Sequence, residues 1–320
     1  FFMKLGRDYF QPGHYSFNRI LFASKGLPFD QLLFGLRKNK ISISSFYLSL
    51  SPHPIPTGQE VLIDTLRHLN GHRLNYEFKN GYIAVNELII YGGPNYPIKL
   101  ELLNPFLPYY IYHKNHRKFP SNSIISLEYY LKYKNTSLFA EFVLDDFQID
   151  NEDPHDLEPN EYGFILELEQ VIKDKYLFTI NYLMISNRTF NAPNLIYEKY
   201  IHKTLPIGHF LGNNFWNINS AIKFNHEKGS AGVQFSHLVK GEEALYSEFN
   251  TDYLDFTIEE GYQEEFPFGN NRSMNGLIFD VNYEIFNNFH INSSISYWFK
   301  SIYNNLGANY LLSINYKIYK

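Results

Sequence analysis

LIFDVNYEIFNNFHINSSISYWF, residues 277–299, decides the fold. Leu277, Phe279, Val281, Tyr283 and Ile285 alternate with Asp280, Asn282 and Glu284. After Asn287-Asn288 the alternation resumes, with Ile291, Ile295, Tyr297 and Phe299 opposite Asn292, Ser294 and Ser296. Successive side chains on a strand point to opposite faces, so each half has one apolar and one polar face. A soluble sandwich would bury the apolar face. A membrane barrel turns it to lipid and keeps the polar face inside.

The same period recurs along the chain. Fourteen candidate strands lie near 2–10, 30–38, 41–51, 72–79, 82–91, 123–134, 136–147, 161–173, 176–187, 215–227, 230–240, 274–286, 289–300 and 308–319. Two stretches break the rule: Ser44-Ser45 shifts the phase, and 82–90 is apolar on both faces. Bulges or a plugged lumen are the expected causes. Tight turns near Lys38-Asn39-Lys40, Asn80-Gly81, Asn135, Asp174-Lys175, Lys228-Gly229 and Asn287-Asn288 alternate with longer loops at 11–29, 52–71, 92–122, 148–160, 188–214, 241–273 and 301–307. Outer-membrane barrels are built this way, with short periplasmic turns and long external loops. Strands of 9 to 13 residues suit a tilted crossing of roughly 9 to 11. The expectation is one antiparallel up-and-down transmembrane β-barrel over 1–320, of at least 14 strands, in the outer membrane of a diderm bacterium.

Composition agrees. There are 27 Tyr and 29 Phe, which interfacial girdles absorb; Tyr297-Trp298-Phe299 is read as part of one. A net charge of −5 argues against nucleic-acid partners, and the lack of cysteine excludes disulfides and thiolate metal sites. No apolar run reaches the length of a membrane helix, and mean hydropathy is −0.31. The chain opens at Phe1-Phe2-Met3-Lys4 already in strand pattern, which reads as a processed or incomplete N-terminus.

Charges on the strands are assigned to the lumen: Arg7, Arg37, Arg73, Lys79, Lys132, Lys223 and Lys317, interleaved with Glu77, Glu128, Glu141, Asp145, Glu167, Glu169, Asp280 and Glu284. A basic residue facing lipid at the midplane costs about 2–4 kcal/mol. Mixed signs inside would close the lumen with ion pairs rather than select an ion.

Chemistry for catalysis is sparse. His68 and His72, four apart beside Arg67 and Arg73, are read as hydrogen-bonding loop histidines rather than a metal pair. LDDFQIDNEDPHDLEP carries Asp145, Asp146, Asp150, Glu152, Asp153, Asp156 and Glu158, at a spacing no EF-hand uses, and reads as a solvated acidic loop rather than a calcium site or glycosidase pair. No phosphate loop, nucleophile elbow or HExxH occurs. The expectation is no enzyme, cofactor or metal.

Five segments in one order carry a resemblance: GRDYFQPGHYSFNRILFASKGLPFDQLLF (6–34), RHLNGHRLNYEF (67–78), NELIIYGG (86–93), LELLNPFLPYY (100–110) and FAEFVLDDFQID (139–150). Together they resemble the Wzi-type capsule-assembly family of outer-membrane barrels, over about residues 6–150. The resemblance implies about eighteen strands, a plugged lumen and a lectin-like hold on capsular polysaccharide. The chain departs from that pattern in its length, which leads us to expect additional N-terminal hairpins, in its final Lys320, and in its 188–273 loops.

Expected partners are therefore outer-membrane lipid and surface polysaccharide. The external loops carry the aromatic and planar polar groups that hold sugars: Tyr9, Tyr15, Phe17 and Arg19; Tyr109, Tyr110, Tyr112, His113 and Arg117; Tyr197, Tyr200, His202 and His209; Tyr253 and Tyr262. The ligand-binding set is taken as Tyr109, Tyr110, Tyr112, His113, Arg117, Tyr197, Tyr200 and His202. Two other readings stand beside it: a scaffold barrel holding other outer-membrane proteins, and a diffusion channel.

Overall fold

The computed structural model describes residues 1–13, 18–24, 26–52, 65–116, 119–146, 157–192, 196–242, 245–286, 289–300 and 307–316. Tyr15, Phe17, Arg117, Lys317, the acidic residues Asp150, Glu152, Asp153 and Asp156, and the Asn287-Asn288 turn lie outside these residues.

Fourteen long strands form one antiparallel sheet in which each pairs with its neighbours in sequence. They are β1 (Phe2–Asp8), β2 (Phe29–Lys38), β3 (Ile41–Leu50), β4 (Thr65–Phe78), β5 (Gly81–Pro94), β6 (Ser121–Tyr133), β7 (Thr136–Asp146), β8 (Glu161–Ile172) and β9 (Tyr176–Ile185). A two-residue hairpin, β10 (Ile201–His202) with β11 (Leu205–Pro206), stands apart in the loop that follows. The sheet continues with β12 (Phe215–His226), β13 (Gly229–Lys240), β14 (Arg272–Phe286), β15 (Phe289–Lys300) and β16 (Gly307–Tyr316). One short helix, α1 (Tyr109–Asn115), lies between β5 and β6.

The period of two sorts the faces as expected. Leu36, Leu74, Val85, Leu127, Phe142, Leu166, Ile180, Ile222, Phe235, Phe279 and Ile295 all stand on the outer face and are exposed. A water-soluble protein does not leave an apolar surface of this extent open. At the short-turn end the outer face carries exposed Tyr76, Tyr133, Tyr176 and Tyr283, with Tyr176 and Phe224 rings 5.3 Å apart. These form an interfacial girdle, where a ring meets hydrocarbon and its hydroxyl meets water. Trp298 does not join one. Its parity turns it inward, where it lines a cavity.

The irregularities resolve differently from the sequence expectation. Pairing runs unbroken through Ser44 and Ser45 on both sides of β3, so there is no bulge there. Register shifts instead fall at Leu144/Asp146 and Glu284/Phe286. The segment 82–90 is apolar on both faces because its outer face meets lipid at Ile83 and Val85 and is covered by a loop from Ile89 onward, while its inner face packs on the plug. Leu88 and Ile90 pack on the inner core, whereas Ile89 and Tyr91 belong to a separate cluster with Leu102, Tyr109 and Phe119. β4 also begins at Thr65, seven residues before the expected start at 72.

The inner core is supplied by loops. Phe10, Ile20, Leu21 and Phe22 from the β1–β2 loop, with Phe190, Tyr200, Ile201 and Ile207 from the β9–β12 loop, pack against Phe46, Leu69, Leu88, Phe139, Ile165 and Leu183 of the wall. At Gly71 the Phe46 ring occupies the space of a side chain: a Cβ would stand 2.0 Å from Phe46 Cζ. Glycine is required there so that the plug-facing ring can lie flat on β4.

Candidate functional site

Arg19 anchors the plug. Its guanidinium sits 2.6 Å from Glu128 and 3.3 Å from Glu141, and all three side chains are buried. Glu141 also accepts the Ile20 backbone N–H at 2.7 Å. Arg73 meets Glu128 at 2.7 and 3.1 Å and donates to Asn86 at 2.9 Å. Asn86 donates to Ser126 at 2.9 Å and to Glu128 at 3.0 Å, and the Tyr82 hydroxyl donates to Glu128 at 3.2 Å. Burial works against the charge of Arg19, but Glu141 and Glu128 more than offset it and leave its pKa above the ordinary value. Glu128 and Glu141 come from adjacent strands and face each other in register. Two carboxylates this close need cations between them, and the loop delivers one.

A second fastening holds the β9–β12 loop. Arg67, fully buried, donates to the carbonyls of Tyr197 at 2.8 Å, Ile201 at 2.8 Å, Lys199 at 2.5 Å and Ser51 at 3.2 Å. All four of these acceptors are backbone carbonyls, to which its rigid fork is matched. In the same loop burial pushes Glu198 up to about 7 and Lys199 down to about 8. Arg188 ties this loop to the next, reaching Glu264 at 2.5 Å and the Asn250 carbonyl at 2.7 Å. Asn214 donates to the carbonyls of Glu242 and Phe268 at 2.9 and 3.0 Å and accepts the Phe268 N–H at 2.7 Å. At the long-loop end the β9–β12 and β13–β14 loops are thus cross-braced. There, Phe256 is exposed with Tyr262 beside it, ring centroids 5.2 Å apart.

Two inner-face cavities flank the plug. One, about 880 Å³, lies toward the short turns and is lined by Lys4, Arg73, Glu77, Lys132 and Tyr82 among others. The other, about 860 Å³, is lined by Asn181, Asn217, Asn219, Gln234, Glu167, Glu169, Phe210 and Trp298. Its amides are already ordered: Asn219 donates to Asn181 at 2.9 Å, and Gln234 donates to Asn219 at 3.4 Å. A cavity of this size, with a few ordered polar groups beside apolar and aromatic side chains, has the form of a small-molecule site.

Among the described residues the strand charges fall inside with one exception. Arg73, Glu128, Glu141 and Asp145 enter the plug contacts. Glu77 pairs with Arg37 at 2.5 Å, and Glu77 and Lys132 line the first cavity. Glu167 lines the second, and Lys223 and Asp280 share a smaller one. Glu284 falls on the same face by strand parity. Arg7 is the correction. It pairs with Asp30 at 2.6 Å on the outer face, beside the long-loop end of β1. The midplane penalty that assigned it inward does not apply at the rim, where a paired guanidinium remains hydrated.

The loop residues expected to bind sugar divide between the two faces of the wall. Tyr109, Tyr110, Tyr112 and His113 lie on α1, outside. Tyr197, Tyr200 and His202 lie inside, in the segment that Arg67 holds. Tyr109, Tyr200 and His202 are buried; Tyr110 is exposed, and Tyr112, His113 and Tyr197 are half-buried. The Tyr109 ring stacks 4.1 Å from His72, and the Tyr200 hydroxyl donates to the Leu21 carbonyl at 2.7 Å. His68 and His72 are strand residues rather than loop residues. Among the described residues no three His, Asp or Glu side chains are arranged to hold a metal ion. Arg67, Arg188, Asn214 and Phe256 were not singled out as site residues from sequence; an isolated Arg or Asn at a strand end carries no periodic signal.

Comparison with solved structures places this architecture. Over 96% of its length the chain is similar to Wzi, an outer-membrane protein involved in group 1 capsule assembly in Escherichia coli and a carbohydrate-binding β-barrel, with a TM-score of 0.60 and 12% identity. It is the fold of an outer-membrane β-barrel. The likeness to OccK3 (OpdO) of Pseudomonas aeruginosa covers 98% of this chain and 75% of that one, with a TM-score of 0.51 and 10% identity. The Wzi-type resemblance carried by the sequence is thus met in three dimensions. The chain spans 65% of the length of Wzi. No family model and no curated protein sequence matches it.

Proposed function

We propose that this barrel is a non-enzymatic saccharide-binding protein of the outer membrane that retains surface polysaccharide and does not conduct solutes. The observation that carries this reading is the second cavity, which Asn181, Asn217, Asn219 and Gln234 line together with Phe210 and Trp298. Planar amides offer paired donors and acceptors to vicinal hydroxyls, and a ring offers an apolar platform to a sugar face. A net hydrogen bond is worth about 1 kcal/mol, so a polymer is held only where several contacts act together. The braced external loops extend the surface with exposed Phe256 and half-buried Tyr262. Exposed Tyr110 and half-buried Tyr112, His113 and Tyr197 remain candidates at the periphery, and Arg117 lies outside the described residues. A plug held by buried ion pairs suits a holding role better than passage.

The test is retention of cell-surface polysaccharide, together with direct binding by purified protein. Asn219→Ala with Trp298→Ala should release polysaccharide and weaken binding by at least tenfold, at unchanged barrel abundance, if two such contacts are lost. Full retention by that variant sinks this assignment of the site. A wild-type protein that binds no saccharide at all sinks the function.

A further inference from the structure

The loop between β5 and β6 folds back over the outside of the wall. On β4 the outer face runs from exposed Tyr76 and Leu74 to His72, Asn70 and His68, which are buried. Ser45, His72 and Glu87 form one ladder rung across β3, β4 and β5. A row of polar groups on the lipid side of a barrel is unfavourable unless something covers it. Residues 95–116 do so. The Tyr110 N–H donates to Glu87 at 2.9 Å, Nε2 of His68 donates to the Tyr96 carbonyl at 2.9 Å, and His113 and Ser121 meet at 2.8 Å. The Tyr91 hydroxyl donates to Asn70 at 3.0 Å and accepts the Lys99 N–H at 3.1 Å.

Having covered the polar row, this clasp presents apolar groups of its own. Leu100 is 71% exposed, Phe106 78% and Ile111 55%. They continue the surface of the bare wall on the same strands, where Leu74, Val85 and Leu127 are exposed. From Leu102 to Leu127 the sequence has no acidic residue, in a chain of net charge −5; Lys99 and Lys114 flank the apolar groups, and the one carboxylate between them, Glu101, accepts the Tyr112 hydroxyl at 3.2 Å. We propose that the clasp is a lipid-seating element: its apolar surface lies at the outer-leaflet boundary, and its lysines attract an anionic lipid headgroup. The occupant is lipid because the patch is continuous with the lipid-facing wall and carries charge complementary to a phosphate. An element that is apolar outward, basic at its edge and fixed to the wall by polar contacts matches the physics of interfacial anchors.

The chain has no cysteine, so single-cysteine variants can be labelled uniquely. A nitroxide at Phe106→Cys or Ile111→Cys, in full-length protein reconstituted into mixed phosphatidylcholine and phosphatidylglycerol vesicles, should be relaxed by oxygen more than by an aqueous nickel chelate. It should match a label at Val85→Cys and oppose one at Leu254→Cys. Spin-labelled phosphatidylglycerol should be selected over phosphatidylcholine at the protein surface, and Lys99→Gln with Lys114→Gln should cut that selectivity by about fivefold or more. Water-accessible labels at both clasp positions would overturn the proposal. So would lipid selectivity that the double variant leaves unchanged, or a protein that co-purifies in stoichiometric amount and shields both labels. These readouts do not involve saccharide and stand or fall separately from the proposed function.

Discussion

Replacing Arg19 with Met should unseat the plug. Arg19 is buried between Glu128 and Glu141, and both carboxylates are closed off from solvent. Glu128 keeps Arg73, Asn86 and Tyr82 as partners. Glu141 keeps the Ile20 N–H, a neutral donor. Breaking a buried pair by removing one partner costs about 3–5 kcal/mol, because the remaining charge is uncompensated. Against this, burial of Ile20, Leu21 and Phe22 contributes about 1.5–3 kcal/mol each. The loss is therefore about half of what seats this segment, and it raises the ratio of displaced to seated plug by roughly a hundredfold to several thousandfold. In a planar bilayer, full-length wild-type protein should be silent and Arg19→Met should show intermittent openings. Its denaturant midpoint should also fall. Adding Glu141→Gln to Arg19→Met removes the stranded charge yet keeps an acceptor for Ile20, so the double variant should recover stability and fall silent again. Unaltered stability and silence in Arg19→Met would refute the reasoning, as would a double variant no better than the single.

Four further outcomes follow from the same contacts. A cysteine at Asn80 should resist an impermeant thiol reagent on intact cells while one at Asn270 reacts; the reverse pattern would invert the barrel. Arg67→Lys, which cannot serve four carbonyls from one planar fork, should destabilise the 196–206 segment by about 2–4 kcal/mol and expose it to protease, read as cleavage in a folded barrel. Because burial holds Glu198 near 7, above the unfolded carboxylate, the folded state favours its proton. Its contribution to stability should therefore be full below about pH 4.5, fall as pH rises toward 7 and level off beyond, with Glu198→Gln removing a slope of up to about 3 kcal/mol relative to wild type over that window. Gly71→Ala should place a methyl group into the Phe46 ring and lower the unfolding midpoint, with a loss of about 1–3 kcal/mol.

How much of this was legible depends on which solvent each residue meets. Where one face meets lipid and the other the lumen, hydrophobicity alternates, and the strands from β12 to β15 fall within two residues of their expected bounds. Where a loop replaces lipid, the rule inverts. The outer face of β4 above Leu74 is His72, Asn70 and His68, so alternation vanishes and the sequence pattern shows the strand only from 72, seven residues after its start at Thr65. The same cause explains Ser45. It is not a phase slip in the backbone but a small polar group opposite His72, beneath the clasp. Ile89 and Tyr91 are the complementary case, apolar where lipid was the expected neighbour and buried against Tyr109 instead.

Loop chemistry was less legible because its partners are distant in sequence. Arg19 meets residues 109 and 122 positions away, and Arg67 meets carbonyls 130 to 134 positions away. Composition marks Tyr109 and Tyr110 as equals, yet one is buried on His72 and the other exposed. Helical geometry turns adjacent residues about 100° apart, so one of a tyrosine pair must face away whenever the other meets the wall. The decision between them rests on Glu87, which accepts the Tyr110 N–H and sets the start of α1 against β5. A wall whose inner face holds a plug by charge, and whose outer face holds a clasp by hydrogen bonds, divides its loops between two solvents. Residues 245–271 are braced to the inner loop through Arg188 and carry exposed Phe256 and half-buried Tyr262 at the long-loop end.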